Sequence, residues 1–412
     1  MFGRSCRRVV GWRLAAAALL FLSALALQAC KTTTIPPGQS QAKPPAPTVA
    51  VQPPATVTPA VPLPAPPEGA GKTRVALLLP LSGPNAALGS AMLDAAQMAL
   101  FDVADNTLEL MPHDTQGTAQ GAAAAAQAAL GDGAKLIIGP LLAAEVEAVK
   151  PVAQGANVPV LAFSTSTQLA GGGTYLMGFL PQQEITRVIA YAHAKGANNF
   201  SVLAPRTPYG EVAVSALRGA VTAQNATLVH IDFYDPGAAD LTPAVKSFAA
   251  QAQNTDAVLL PEGGARLKML APLLPYNGID PAKVHFLGTG LWDEPGLGSE
   301  PSLDGGWYAA PPPANRADFE KRFGDLYHHP PPRLATLAYD ATALAAVLAH
   351  GQNGPDFSAG ALTNPSGFAG VDGIFRLHAD GLIERGLAVL EVEHDGSKVI
   401  DPAPQTFQAV TQ

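Results

Sequence analysis

From residue 73 onward the chain alternates short apolar runs with alanine-rich stretches of helical period, and no other feature of its 412 residues constrains the fold as strongly. The runs 74–79, 108–112, 135–138 and 158–163 each precede a helical stretch. Short apolar strands set between amphipathic helices belong to parallel sheets covered on both faces, assembled from βαβ units. In the first helical stretch Leu88, Met92, Ala95 or Ala96, and Ala99 or Leu100 recur every three or four residues, so one stripe packs on the sheet. A second series runs through 200–203, 228–233, 257–260 and 284–287, with helices from about Glu211, Leu241 and Ala265. About 340 residues in two such series are too many for one core, and two α/β lobes follow. The end of the chain differs. Residues 374–377 and 387–392, separated by Asp380-Gly381, read as a hairpin, and Asp395-Gly396 marks another turn before 398–400.

The amino terminus belongs to another class of segment. Arg4, Arg7, Arg8 and Arg13, with no acid among them, precede an apolar run over 14–27. The run is shorter than the roughly 20 residues of a spanning helix, so it reads as a cleaved signal. It closes as Leu27-Gln28-Ala29-Cys30, which resembles the lipobox of bacterial lipoproteins. That resemblance implies removal of 1–29, a palmitate-type acyl anchor on Cys30, and stable attachment to a membrane. Lys31 follows, and similarity to Gram-negative sorting, where aspartate at this position retains a lipoprotein at the inner membrane, implies the outer one. Cys6 falls in the discarded segment and Cys30 is consumed by the lipid, so the mature domain has no disulfide and at its size needs none.

Residues 30–72 carry the lipidated cysteine and then a stretch rich in Pro, Ala, Thr, Val and Gln, almost without charge and without periodicity. This is a semi-rigid linker. Extended as polyproline II at ~3.1 Å per residue it reaches about 130 Å; as a coil it reaches about 35 Å. Without the four arginines of the signal the mature chain carries a net charge of −12. An acidic surface with no Lys/Arg cluster argues against nucleic acid as a partner.

Signatures of nucleotide, metal and serine-hydrolase chemistry are missing: there is no G-x-x-x-x-G-K-[ST], no G-x-G-x-x-G between strand and helix, no H-E-x-x-H and no G-x-S-x-G. No cofactor, no metal and no catalytic residue are expected. His328-His329 precedes three prolines and reads as surface loop, and Asp114 reads as a loop or helix cap rather than a catalyst. Polar residues concentrate instead at strand-to-helix turns: Ser82-Gly83-Pro84-Asn85, Gly139-Pro140, and Ser164-Thr165-Ser166-Thr167. Ligands of open α/β sheets bind beyond the carboxyl ends of the strands, where helix amino termini offer free N–H groups. Hydroxyls at such turns suit a carboxylate or other anion, and equally suit helix capping.

In order and spacing, the strings RVALLLPLSGPNAALG, HDTQGTAQGAAAAAQAAL, KLIIGPLLAAEV, VPVLAFSTST, TPYGE, DAVLLPEGGARLKML, HFLGTG and GWYAAPPP resemble type I periplasmic binding proteins of the leucine/isoleucine/valine class. The resemblance implies an α/β fold of two lobes, each a mostly parallel sheet flanked by helices, joined by three crossovers around a ligand cleft. Lobe one would hold about 73–182 and 312–365, lobe two about 183–311 and 366–400, with 401–412 as a tail. The implied cleft candidates are Ser82, Asn85, Leu142, Ser164, Thr165, Ser166, Tyr209, Glu262, Gly263 and Thr289. The family's hydroxyl and amide positions fall at Ala143, Ser164 and Ser166, its aromatic contact near Gly263, and its acid for the amino group at Gly290, so the aromatic and the acid are both lost. Glu262, Asp293 and Glu294 are the nearby acids able to substitute.

The resemblance extends to a branch of this fold, the penicillin-binding protein activator lipoproteins of Gram-negative bacteria. It implies a non-enzymatic, outer-membrane-anchored periplasmic lipoprotein that contacts a peptidoglycan synthase. The alternative is the solute-binding component of an ABC importer for branched-chain or other amino acids. In both cases a small amino-acid-like ligand is a possible occupant of the cleft.

Overall fold

The computed structural model describes residues 72–103, 107–350 and 354–407. The expected signal, the expected lipidation site at Cys30 and nearly all of the expected linker lie outside the described residues.

The first lobe winds β1 (Thr73–Leu79), α1 (Ala86–Asp102), β2 (Leu108–Asp114), α2 (Ala119–Gly131), β3 (Leu136–Ile138), α3 (Ala143–Gly155), β4 (Val160–Ala162) and β5 (Thr174–Leu176) into a parallel sheet of order β2-β1-β3-β4-β5. Alternate residues of β1 serve opposite layers. Val75, Leu77 and Leu79 join Met92 and Ala96 of α1, while Ala76 and Leu78 join the alanines of α2 and Val146 and Val149 of α3. This two-faced burial explains why the strand is apolar without alternation from Val75 to Leu79.

The second lobe repeats the plan: α4 (Pro181–Ala194), β6 (Asn199–Pro205), α5 (Pro208–Ala223), β7 (Thr227–Tyr234), α6 (Thr242–Gln251), β8 (Ala257–Leu259), α7 (Gly264–Leu270), α8 (Leu273–Tyr276), β9 (His285–Gly288) and β10 (Trp307–Ala310). Its strands run β7-β6-β8-β9-β10 in parallel. The likeness between the lobes reaches single residues. Pro80 directly follows β1 and Pro205 ends β6, and a Cβ on Gly89 of α1 or on Gly210 of α5 would lie 2.1 Å or 1.9 Å from the carbonyl oxygen of Pro80 or Pro205. Only glycine lets these helices start so close to their strands.

The chain then returns to lobe one through α9 (Pro313–Tyr327), α10 (Ala335–Ala349) and α11 (Ala359–Leu362), with α10 packed along α1. It continues as a small antiparallel sheet of β11 (Phe368–Gly370), β12 (Gly373–Leu377) and β13 (Ile383–Arg385). Finally β14 (Ala388–Glu393) pairs antiparallel with β10, and β15 (Gly396–Asp401) closes the second sheet.

Two expectations about the tail are corrected here. The strand 374–377 does not form a hairpin with 387–392: β12 pairs with β13 across a turn at His378–Leu382, and β14 pairs with β10 and β15. The segment 366–385, assigned to lobe two, contributes Phe375, Leu377 and Ile383 to the core of lobe one, so the last crossing comes at 386–387. Three crossings join the lobes, near 177–181, 311–313 and 386–387, and side chains tie two of them together. Arg385 Nη2 donates to the Met177 carbonyl at 2.7 Å, and Arg187 Nε donates to the Leu387 carbonyl at 3.0 Å.

Candidate ligand-binding cleft

The carboxyl ends of both parallel sheets open into one cavity of about 810 Å³ between the lobes. Lobe one supplies Asn85 after β1, Leu141 to Ala143 after β3, and Phe163, Ser164, Thr165 and Ser166 after β4. Lobe two supplies Tyr209 after β6 and Gly290 and Leu291 after β9. The crossings supply Phe179, Pro181 and Pro311, the first turn of α4 supplies Glu184, and the segment before α10 supplies Arg333. Open α/β sheets place ligands at this position because crossovers diverge there and expose helix amino termini.

Of the candidate residues, Asn85, Leu142, Ser164, Thr165, Ser166 and Tyr209 line the cavity together. Ser164 is buried, and its Oγ accepts the Ser166 N–H at 3.1 Å, which orients the loop. The other four are placed elsewhere. Ser82 donates its hydroxyl to Asp114 at 2.6 Å. Thr289 is fully buried behind Tyr209, sharing a 2.8 Å hydrogen bond with its hydroxyl. Glu262 accepts from the Tyr234 hydroxyl and, at 3.1 Å, from the Gly263 N–H. A side chain on Gly263 would strike Leu291, whose carbonyl oxygen would stand 2.9 Å from the Cβ, so Leu291 fills the wall in its place.

Asp114 is a structural group. It accepts the N–H groups of Leu81, Ser82 and Gln116 at 2.8 to 3.2 Å as well as the Ser82 hydroxyl. What burial it has works upward on its pKa, yet these four bonds outweigh it and hold the carboxyl below its ordinary range. Glu145, fully buried, plays a similar part: it accepts the Leu142 N–H at 2.9 Å and the Thr115 hydroxyl at 2.5 Å, occupying the start of α3.

The acids offered as substitutes at the cleft are committed to other partners. Asp293 is gripped by Arg316 through two bonds of 2.7 and 2.8 Å and by Arg333 at 2.9 Å. Arg333 also pairs with Asp372 at 2.9 Å and lies over the Phe179 ring at 4.3 Å. Glu294 lines the cavity and accepts the Gly264 N–H at 2.8 Å. Deeper still, Arg385 lies 3.9 Å from Asp340. Burial and the charge of Asp372 push Asp340 up, whereas for Asp372 the guanidinium groups of Arg333 and Arg385 overcome burial and hold it down. Removing one member of such a buried set leaves uncompensated charge, at a cost of about 3–5 kcal/mol.

The acid that does stand at Gly290 comes from a different element. Glu184, in the first turn of α4 and only 4% exposed, accepts the Gly290 N–H at 2.8 Å. A Cβ on residue 290 would fall 2.4 Å from its Oε1, so this carboxylate holds the space that a side chain there would enter. Burial pushes Glu184 up to about 7, opposed by the Gly290 hydrogen bond and the Arg333 charge. Burial, with the Glu184 charge second, also pushes the Tyr209 hydroxyl up. Sequence reading passed over Glu184, although a signal was there. It belongs to the apolar stripe continued by Ile185, Val188 and Ala192, and an acid in a buried stripe needs a partner.

The sequence profile described as "Periplasmic binding protein" matches residues 72–397. The chain belongs to the periplasmic binding protein family. Its fold, two mostly parallel α/β lobes around a cleft, is that of the type I members. A crystal structure described as a putative branched-chain amino acid ABC transporter from Rhodospirillum rubrum superposes with a TM-score of 0.69 at 20% identity, covering 80% of this chain and all of that one. A solute-binding protein of Rhodopseudomonas palustris in complex with 3,4-dihydroxybenzoic acid superposes with a TM-score of 0.63 at 17% identity, covering 82% and 98%. Among curated sequences, an uncharacterised protein of Rickettsia prowazekii is 23% identical over 217 residues, 53% of this periplasmic binding protein; the match spans 56% of the relative's own length. Among the described residues, no group of three or more His, Cys, Asp or Glu could hold a metal ion, and no helix is long and apolar enough to cross a membrane.

Proposed function

We propose that this protein is a lipid-anchored periplasmic receptor whose inter-lobe cleft takes a small solute with a carboxylate or comparable acceptor at one end. The observation that carries the reading is the joint lining of one 810 Å³ cavity by Ser164, Thr165 and Ser166 from lobe one and Tyr209 and Leu291 from lobe two. A solute there touches both lobes at once, which couples binding to their closure. The hydroxyl wall provides donors for an acceptor group, and Phe163, Phe179 and Leu337 provide an apolar bed. The size is in the range of ordinary small-molecule sites. Solved relatives named for branched-chain amino acids and for dihydroxybenzoic acid fit the same chemistry, since both solute types carry a carboxylate.

A thermal-shift screen of amino acids and aromatic acids tests the reading. Saturation at about 100 times Kd adds roughly 2.7 kcal/mol to the stability, and Ser164→Ala should weaken the response. A screen without any response at millimolar concentrations counts against a receptor.

A second reading gives the receptor a downstream role as a penicillin-binding protein activator regulating peptidoglycan synthesis. It is favoured by the lipobox at Cys30, by Lys31 and by the long proline-rich linker, which together suit a domain reaching across the periplasm from the outer membrane. Membrane fractionation with Cys30→Ser and Lys31→Asp variants checks the anchor and its address. Affinity purification of the solubilised lipoprotein then separates the two roles. Recovery of a peptidoglycan synthase supports the activator, and recovery of an ABC permease supports the importer.

A further inference from the structure

At the pole of lobe one opposite the cleft, the amino ends of β1, β3 and β4 and the loop after α10 border a second cavity of about 950 Å³. Three cations stand on it: Lys72 just before β1, Arg74 within β1, and Lys135 just before β3. Among the described residues, Glu109 of β2 is the one acid on its wall. The Arg74 guanidinium is fixed there, with Nε donating to Glu109 at 3.1 Å and Nη1 to the Asp132 carbonyl at 2.7 Å. The ammonium groups of Lys72 and Lys135 have no hydrogen-bond or ion-pair partner among the described residues. The neighbouring Asp356 does not serve them, since its carboxylate accepts the Ser358 N–H at 2.9 Å.

Three cations against one acid leave this wall at a net +2, on a chain whose formal net charge is −8. A lysine just past the carboxyl end of α2 suits the helix dipole and accounts for Lys135 alone; Lys72 and Arg74 belong to no helix end. Unpaired like charges on one cavity repel, and an anion held between them relieves the repulsion. Phe357 and Pro159 form an apolar part of the lining.

We infer that this cavity binds a phosphomonoester, its phosphate held among Lys72, Arg74 and Lys135 and its organic part resting on Phe357 and Pro159. Such a group carries about −1.5 to −2 at pH 7 and so neutralises the wall, which a single carboxylate does not. Two sources carry it: a dissolved sugar or glycerol phosphate, and the headgroup of an acidic lipid. The cavity adjoins residue 72, where the expected linker joins the domain, so a lipid of the anchoring membrane is within reach as well as a dissolved ester.

Titration calorimetry on the detergent-solubilised full-length protein at pH 7.5, with glycerol 3-phosphate and with glycerol as the neutral control, tests the dissolved source. Thermal shift in dodecyl maltoside micelles doped with phosphatidic acid, against micelles doped with phosphatidylcholine, tests the lipid source. Binding of glycerol 3-phosphate but not glycerol, or a shift with phosphatidic acid alone, is expected. The double variant Lys72→Ala/Lys135→Ala should weaken that binding by about tenfold or more while keeping the melting temperature of the unliganded protein. Lys135→Glu, a change at an exposed residue, should abolish it, and Ser164→Ala in the cleft should leave it unchanged. Failure of both phosphate compounds to bind overturns the inference. So does binding that survives the double variant, or that is lost in Ser164→Ala, which would place the anion in the cleft.

Discussion

Glu184→Gln should flatten the dependence of folding stability on pH in the empty protein. The carboxyl rises from its ordinary 4.5 to about 7 in the folded chain, with burial as the main cause. A group whose folded pKa is raised contributes its stability in full below the unfolded pKa and loses it as pH climbs through the folded value. At 1.36 kcal/mol per pH unit the whole effect is about 3 kcal/mol, of which about 2.5 kcal/mol is lost between pH 5 and pH 8.5. No discount for solvent screening applies, because Glu184 is only 4% exposed. Urea denaturation at pH 5 and at pH 8.5 measures the difference for wild type and variant.

Asp340, also pushed up by burial, titrates in the same window, so the absolute slope of the wild type mixes both acids. The variant isolates one of them. The difference between the two pH values should shrink by about 2.5 kcal/mol in Glu184→Gln and leave a remainder that Asp340→Asn reduces further. An unchanged slope in Glu184→Gln would show that the carboxylate is hydrated or already paired in the folded chain, and would refute the reasoning from its burial.

Other outcomes follow from the same geometry. Asp293→Ala removes the carboxylate that Arg316 and Arg333 share at the junction of the lobes and should cost about 3–5 kcal/mol in urea denaturation, whereas exposed Lys321→Ala should change stability by under about 1 kcal/mol. Gly89→Ala and Gly210→Ala should each destabilise by about 1–3 kcal/mol, because the new Cβ enters the carbonyl of Pro80 or Pro205. Asp114→Ala removes the acceptor of three backbone N–H groups and should lower the melting temperature while leaving solute affinity near wild type.

The architecture of this protein was legible in its sequence because two-faced burial imprints itself locally. Every parallel strand of lobe one except β5 announced itself as an apolar run, and α1 showed its stripe. β5 and β10 were missed for a physical reason: Thr174–Leu176 is three residues long, and Trp307–Ala310 follows a segment of irregular turns, so neither carries enough pattern to be told from loop. The hydroxyl wall was legible too, since Ser164, Thr165 and Ser166 are consecutive residues at one strand end.

The charge of the cleft was decided only by the tertiary structure. Position 290 is glycine, and read along the chain the cleft had lost its acid. In space, Glu184 arrives from the first turn of α4, 106 residues away in sequence, and takes the Gly290 N–H. The acids closer in sequence are unavailable for the opposite reason: Asp293 is met by Arg316 and Arg333, which enter from beyond the second crossing. A carboxylate's partners are set by approach within a few ångströms, and local pattern holds no record of approaches made by distant segments. Most strands could be read from residue types alone, but which acid stands over Gly290 in the cleft depended on how the crossovers bring α4, β9 and α10 to one point.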